Sequence, residues 1–245
     1  MNGQIALVTG ASRGIGAATA IELARRGAHV VLAARTQGGL EETDDAIRAI
    51  GGSATLLPLD LLDGEAIDKL GPSLHARFGR LDMLLGNAAT LGLLTPVTHI
   101  QEHHWADTIA INMTANWRLI RTCAPLLTAS PAGRAVFMTT RVAVAPRAFW
   151  GLYGATKAGM EHLVQVWAAE TRTTALRVNL FDPGVVDTRM RQAAMPGEDR
   201  SKNAKPEDVA PLIADLLGPD ETRHGEVVRR TRVVADAPQH VGTVS

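Results

Sequence analysis

"QIALVTGASRGIGAATAIELARR", residues 4–26, joins a run of apolar β-formers to a helical pattern through a turn that carries three glycines. "QIALVT" (4–9) reads as a strand and 14–26 as a helix. Gly10, Gly14 and Gly16 let the backbone turn sharply and approach a ligand closely, and the free N–H groups of the starting helix then face an anion. The spacing G-x3-G-x-G departs from the G-x-G-x-x-G dinucleotide fingerprint. The meaning of the turn therefore comes from its position between a first strand and a first helix.

Outward from this turn the alternation continues. Strands are predicted at 29–34, 54–60, 81–86, 134–140 and 175–181, with a last one at 225–230. Helices are predicted over 38–50, 63–78, 101–128, 150–170 and 206–217. Continuous apolar strands separated by helices indicate a mostly parallel sheet covered on both faces. Regular alternation from 1 to 245 gives a single doubly wound, Rossmann-type α/β domain with about seven strands. The polar segment 189–206, "RMRQAAMPGEDRSKNAKP", is either a mobile loop over a substrate or an ordinary surface connection. The tail 231–245 is expected to be loosely ordered or to dock on another subunit.

Charge is balanced, 25 basic against 25 acidic residues, which argues against nucleic acid or an anionic membrane as partner. One cysteine, Cys123, in an apolar helical stretch, excludes an intrachain disulfide and a cysteine-based metal cluster. It reads as an inert buried thiol. A strand starting at residue 4 leaves no room for a signal peptide, and no apolar run is long enough to cross a bilayer. The expected compartment is the cytoplasm.

A site for NAD would often carry an acid at the end of the second strand, to bind the ribose 2′-hydroxyl. Here that strand ends in Ala34 and is followed by Arg35, and Arg13 adds a cation inside the glycine turn. Two guanidiniums converging on one spot suit a 2′-phosphate, so NADP(H) is expected over NAD(H).

The chain has one tyrosine, Tyr153, and four lysines, of which Lys157 follows it by one helical turn. Residues i and i+4 share a helix face. The pair alone is either a solvated surface couple or a phenol with an ammonium held beside it.

The glycine turn and this pair belong to a longer ordered set: "TGASRGIG", "LDLLD", "GNAA", "INMTANW", "TT" ending in Thr140, "YGATK" and "RVNLFDPGVVDT". With these stretches in order and at strand ends, the chain resembles the short-chain dehydrogenase/reductase family over nearly its full length. "NAATLGLLTPV", "AFWGLYGATK" and the 190–209 stretch look more narrowly like the YciK group of bacterial members. The resemblance implies Tyr153 as acid/base, with Lys157 lowering its pKa and holding the nicotinamide ribose. Asn112 would carry a water in a proton relay, and Thr140 would donate to the reacting oxygen. Cofactor contacts would come from the turn (Gly10, Ser12, Arg13, Gly14, Ile15 and Gly16) and from Arg35. Asp60 and Leu61 would meet the adenine, and Asn87 and Ala88 would run along the adenosine. Pro183 and Gly184 would also contact the cofactor, and Thr188 with the backbone near Val186 would hold the carboxamide. A homodimer or homotetramer is implied.

Two positions depart from the family pattern. Thr140 stands where serine is usual; it keeps the hydroxyl but adds a methyl and stiffens χ1. Asn87-Ala88-Ala89 replaces Asn-Ala-Gly. The expected activity is interconversion of a small ketone or aldehyde with its alcohol, with NADP(H) as hydride carrier. A non-catalytic NADP(H) sensor, or an epimerase or dehydratase on the same fold, are the alternatives. An apolar substrate pocket is expected from residues 90–97 with Val142, Val144 and Met190. No metal site is expected, since His103 and His104 occupy adjacent helix positions that do not face each other. The four tryptophans are expected to pack inside, and Gly154, Ala155, Ala158 and Gly159 to offer a small-residue face to a second subunit.

Overall fold

The structure is a computed structural model that describes residues 1–230; the tail 231–245 lies outside the described residues. Seven strands, β1 (Ile5–Thr9), β2 (His29–Ala34), β3 (Ser53–Pro58), β4 (Met83–Gly86), β5 (Arg134–Met138), β6 (Arg177–Asp182) and β7 (Val227–Arg229), form one sheet in the order β3-β2-β1-β4-β5-β6-β7. Every neighbouring pair is parallel. The helices are α1 (Gly14–Arg25), α2 (Gln37–Ala49), α3 (Gly64–Asp68), α4 (Leu70–Phe78), α5 (Glu102–Ile109), α6 (Ala115–Ala129), α7 (Gly151–Glu170), α8 (Arg189–Ala194) and α9 (Pro206–Leu216).

The strands are mostly apolar because both faces of the sheet are covered. Leu7, Leu84, Phe137 and Leu180 pack with Leu119 and Cys123 of α6 and Trp167 of α7. Their neighbours Val8, Leu85, Val136 and Phe181 pack on the other face with Leu23 of α1 and Ile213 of α9. Each such leucine, fully buried, contributes on the order of 1.5–3 kcal/mol. Strand order reverses between β1 and β4, so a crevice opens there at the carboxyl ends of the strands.

Two predicted helices are interrupted. The helix expected over 63–78 breaks between α3 and α4. Pro72 has no N–H to give the Asp68 carbonyl. The Thr122 hydroxyl donates to that carbonyl instead (2.9 Å) and accepts from Gly71 N–H (2.9 Å). The helix expected over 101–128 carries a π turn at Ala110–Thr114, centred on Asn112. Such turns are frequent at functional sites.

The expectations for the tryptophans and for His103 and His104 need correction. Trp167 is buried against Phe137, but Trp105 and Trp117 are 47% and 42% exposed on α5 and α6. The His103 and His104 rings do meet, with centroids 4.0 Å apart. Among the described residues no third metal-ligating side chain joins them. Gly154 and Gly159 serve packing within the chain: a Cβ on the first would lie 3.1 Å from the Val142 carbonyl, and on the second 2.6 Å from Met113 Cε. Cys123 is buried, and burial pushes its thiol up to about 12. No helix among the described residues is long and apolar enough to cross a membrane.

Candidate active site

The crevice at the strand ends is a cleft of about 1620 Å³. Gly10 leaves β1 with φ +67°, which only glycine adopts without strain. The turn is then crossed by the start of α1 so closely that a Cβ on Gly16 would sit 2.2 Å from the Gly10 carbonyl oxygen. Thr9 and Asn87 hold this crossing in place. Asn87 Nδ2 donates to the Thr9 carbonyl (2.9 Å), and the Thr9 hydroxyl accepts from the N–H groups of Asn87 (3.0 Å) and Ala88 (3.1 Å). Asn87 therefore braces the ends of β1 and β4 against each other, and Thr9, not singled out from the sequence, is its counterpart.

The expected cofactor positions converge. Gly10, Ser12, Arg13, Gly14 and Ile15 line the cleft, as do Arg35, Asp60, Leu61, Asn87 and Ala88. From the far side come Pro183, Gly184, Val186 and Thr188. Gly16 and Asn112 stand behind this lining. Arg13 and Arg35 are exposed and make no ion pair among the described residues. The Asp60 carboxylate caps its own loop, accepting from Leu62 N–H (3.0 Å).

Tyr153 and Lys157 both face the cleft from α7, which rules out the surface couple: they are 8% and 2% exposed. Trp150 packs edge-on against Tyr153, ring centroids 6.0 Å apart. Lys157 Nζ lies 5.9 Å from the Tyr153 ring centroid and donates one hydrogen bond, to the Met138 carbonyl (2.8 Å). An ammonium has three donors; two remain for a ligand. Thr139 and Glu161, joined at 2.8 Å, tie the end of β5 to α7 just beyond Lys157. The next residue, Thr140, lines the cleft, and its hydroxyl makes no hydrogen bond to protein among the described residues.

In the cofactor-free cleft, burial sets the electrostatics. Burial pushes the Tyr153 phenol up to about 12, and the nearby Asp182 carboxylate adds to that rise. Burial also brings the Lys157 ammonium down to about 8. Without a ligand, then, the lysine does not depress the tyrosine: desolvation of the phenol outweighs a cation that is itself desolvated and turned toward a carbonyl. Asp182 is 6% exposed at the end of β6 and lines the same cleft, one oxygen accepting from Gly184 N–H (3.0 Å). In the sequence Asp182 is marked only by its place as a carboxylate at the end of β6, before Pro183 and Gly184.

Asn112 is fully buried, and its side-chain amide is committed to protein. Nδ2 donates to the Thr90 carbonyl (2.9 Å) and to Thr156 Oγ1 (3.0 Å), while Oδ1 accepts from Thr90 N–H (2.9 Å). Its main-chain carbonyl in the π turn accepts from Asn116 Nδ2 (2.8 Å), and the second lone pair of that oxygen is available to a water. Thr90 and Thr156 are the partners that sequence reading missed.

The segment 189–206 is ordered rather than a plain loop. It contains α8 and a 3-10 turn at Arg200–Lys202. It is tied down by the Arg191–Glu198 ion pair, by Arg200 on Asp187 (2.8 Å), and by a bridge between Val186 and Ala204. Met190 and Val142 line the cleft as expected, but Val144 is 59% exposed outside it. Arg141 and Arg147 line the same region, which is less apolar than the sequence suggested.

A family model described as short chain dehydrogenase matches residues 4–199. The uncharacterized oxidoreductase YciK of Escherichia coli is 38% identical over 226 residues, covering 91% of this chain and 89% of its own. A short chain dehydrogenase structure from Pseudomonas syringae aligns with a TM-score of 0.90 at 37% identity, covering 93% of this chain and 94% of that one. One from Shigella flexneri, complexed with NADP, aligns at 0.89 and 36% identity, covering 94% and 97%.

Proposed function

The chain belongs to the short-chain dehydrogenase family, and on that premise we propose that it is an NADP(H)-dependent oxidoreductase that interconverts a carbonyl and an alcohol. The observation that carries this reading is the convergence of Tyr153, Lys157 and Thr140 on the cleft that also contains the glycine turn. The residues fit the cofactor. The close Gly10–Gly16 crossing fixes a turn that lines the cleft at the start of α1, where a pyrophosphate would bind, Lys157 keeps two unused donors in a buried site, and Arg13 and Arg35 are free for a 2′-phosphate. The NADP-bound relatives support the same preference.

When bound, NADPH supplies the hydride. Tyr153 gives its proton to the carbonyl oxygen. A phenol raised to about 12 is protonated at neutral pH, the form that reduction requires. Thr140 donates to the same oxygen as negative charge develops on it. Lys157 orients the ribose through its spare N–H groups, and the Asn112 carbonyl holds a water that returns a proton toward Tyr153. Pro183 to Thr188 hold the carboxamide side, and Asp60 and Leu61 the adenine side. The active unit is a homodimer or homotetramer.

NADPH consumption over a panel of ketones and aldehydes tests this reading. Cofactor binding without turnover on any of them would leave the sensor and the epimerase or dehydratase. Two variants probe the parts. Arg35→Ala should weaken NADPH binding about tenfold to a hundredfold, the range of one lost charge-assisted contact, and NADH binding much less. Equal weakening of both in a fluorescence titration removes the 2′-phosphate assignment. Thr140→Ser should stay within a few-fold of wild type, whereas Thr140→Val, of the same shape, should lose about 10²–10³ in kcat with KM little changed. Normal turnover by the valine enzyme would show that the hydroxyl has no role.

A further inference from the structure

Most arginines in this protein are accounted for. Nine form ion pairs with carboxylates, and Arg134 and Arg177 donate to backbone carbonyls. Nine of the described arginines have neither kind of partner among the described residues. Arg77 and Arg172 lie elsewhere; the other seven line the cleft. A chain of zero net charge thus concentrates its uncommitted guanidiniums on one surface.

The cofactor explains only one end of this surface. Arg13 and Arg35 follow β1 and β2, where a 2′-phosphate is expected. Arg141 and Arg147 lie between β5 and α7. In the sheet, β2 and β5 are separated by β1 and β4. Three strand spacings of about 4.8 Å put the strand ends roughly 14 Å apart, so one phosphate cannot serve both pairs.

Arg141 and Arg147 sit at the reacting end. Arg141 directly follows Thr140. The Arg147 guanidinium lies over the Trp150 ring, 5.3 Å from its centroid, and Trp150 in turn packs on Tyr153. Its one further contact is a thioether, Met195 Sδ at 3.6 Å. An arginine over an aromatic ring keeps its N–H donors available for an oxyanion. Resting on the carbonyl-reductase reading above, we propose that Arg141 and Arg147 form a subsite for an oxyanion on the substrate, so that the protein acts on ketones or aldehydes carrying a carboxylate or a phosphate rather than on neutral carbonyl compounds.

The test is a set of matched pairs assayed with NADPH: levulinate and two longer methyl-ketone acids, each against its methyl ester, and dihydroxyacetone phosphate against dihydroxyacetone. The charged member of at least one pair should have a kcat/KM tenfold or more above its neutral partner, with KM rising as NaCl is added. The pair that responds separates carboxylate from phosphate. Arg141→Gln and Arg147→Gln should bring the charged-to-neutral ratio toward one, while Arg172→Gln, away from the cleft, leaves it unchanged. Reading a ratio cancels any general loss of activity. Neutral ketones consumed as well as charged ones, or a ratio indifferent to both substitutions, would overturn the subsite and leave the oxidoreductase reading standing. If no carbonyl turns over, that reading fails instead, and calorimetry of the same anions on NADP⁺-loaded protein decides the subsite. Binding lost in Arg147→Gln supports it; no anion binding refutes it.

Discussion

Tyr153→Phe is expected to lower turnover about a thousandfold, within the usual span of 10²–10⁴ for a positioned acid or base, while NADPH binds nearly as tightly. The ring still packs against Trp150, and the other cofactor contacts in the cleft remain. Steady-state kinetics on any accepted carbonyl, with a parallel NADPH titration, makes the comparison. A phenylalanine enzyme working at the wild-type rate would falsify the acid/base assignment.

The same residue offers a direct view of the site's electrostatics, because a single tyrosine makes any tyrosinate absorbance a report from one position. In the cofactor-free protein the phenolate band should appear only toward about pH 12. Asp182→Asn removes a negative charge that favours the neutral phenol, so the transition should move down in pH. Binding NADP⁺ should move it down further by placing positive charge nearby, and Lys157→Met should reverse part of that shift. An unchanged transition in Asp182→Asn would mean that the carboxylate does not bear on the phenol.

Gly16→Ala should disrupt the turn between β1 and α1. The added Cβ would lie 2.2 Å from the Gly10 carbonyl oxygen and 2.6 Å from Asn87 Nδ2, both fixed in the brace between β1 and β4. No rotamer relieves a clash with backbone, so the turn itself must move. Overpacking of this kind costs about 1–3 kcal/mol, or roughly 2–10 °C in Tm for a chain of this size. NADPH affinity should fall more steeply, by about a hundredfold or more, because displaced N–H groups lose both distance and angle to a pyrophosphate. Gly38→Ala is the control. Nothing lies within 4 Å of a Cβ there, and in α2 the change should be neutral or stabilising by up to about 1 kcal/mol. Equal NADPH binding by Gly16→Ala and wild type would mean that the turn does not cradle the cofactor.

The sequence by itself determined the parallel α/β architecture, the glycine turn and the Tyr153–Lys157 pair. Each is a local pattern: apolar runs that match buried strands, glycines at a strand–helix junction, an i,i+4 spacing on one helix. The tertiary structure decided what depends on neighbours far apart in the chain. Thr122 satisfies the Asp68 carbonyl that Pro72 leaves free, some fifty residues earlier, where the helix over 63–78 is interrupted. Thr90 and Thr156 consume the Asn112 amide, which periodicity could place on a helix but could not pair. Asp182 at the end of β6 bears on Tyr153 of α7 and adds to the rise of its pKa that burial causes. The physical reason is common to all three. Secondary structure follows from the period of a short window, whereas a pKa or a hydrogen-bond partner follows from desolvation and contacts that exist only once the strand ends have been brought to one crevice.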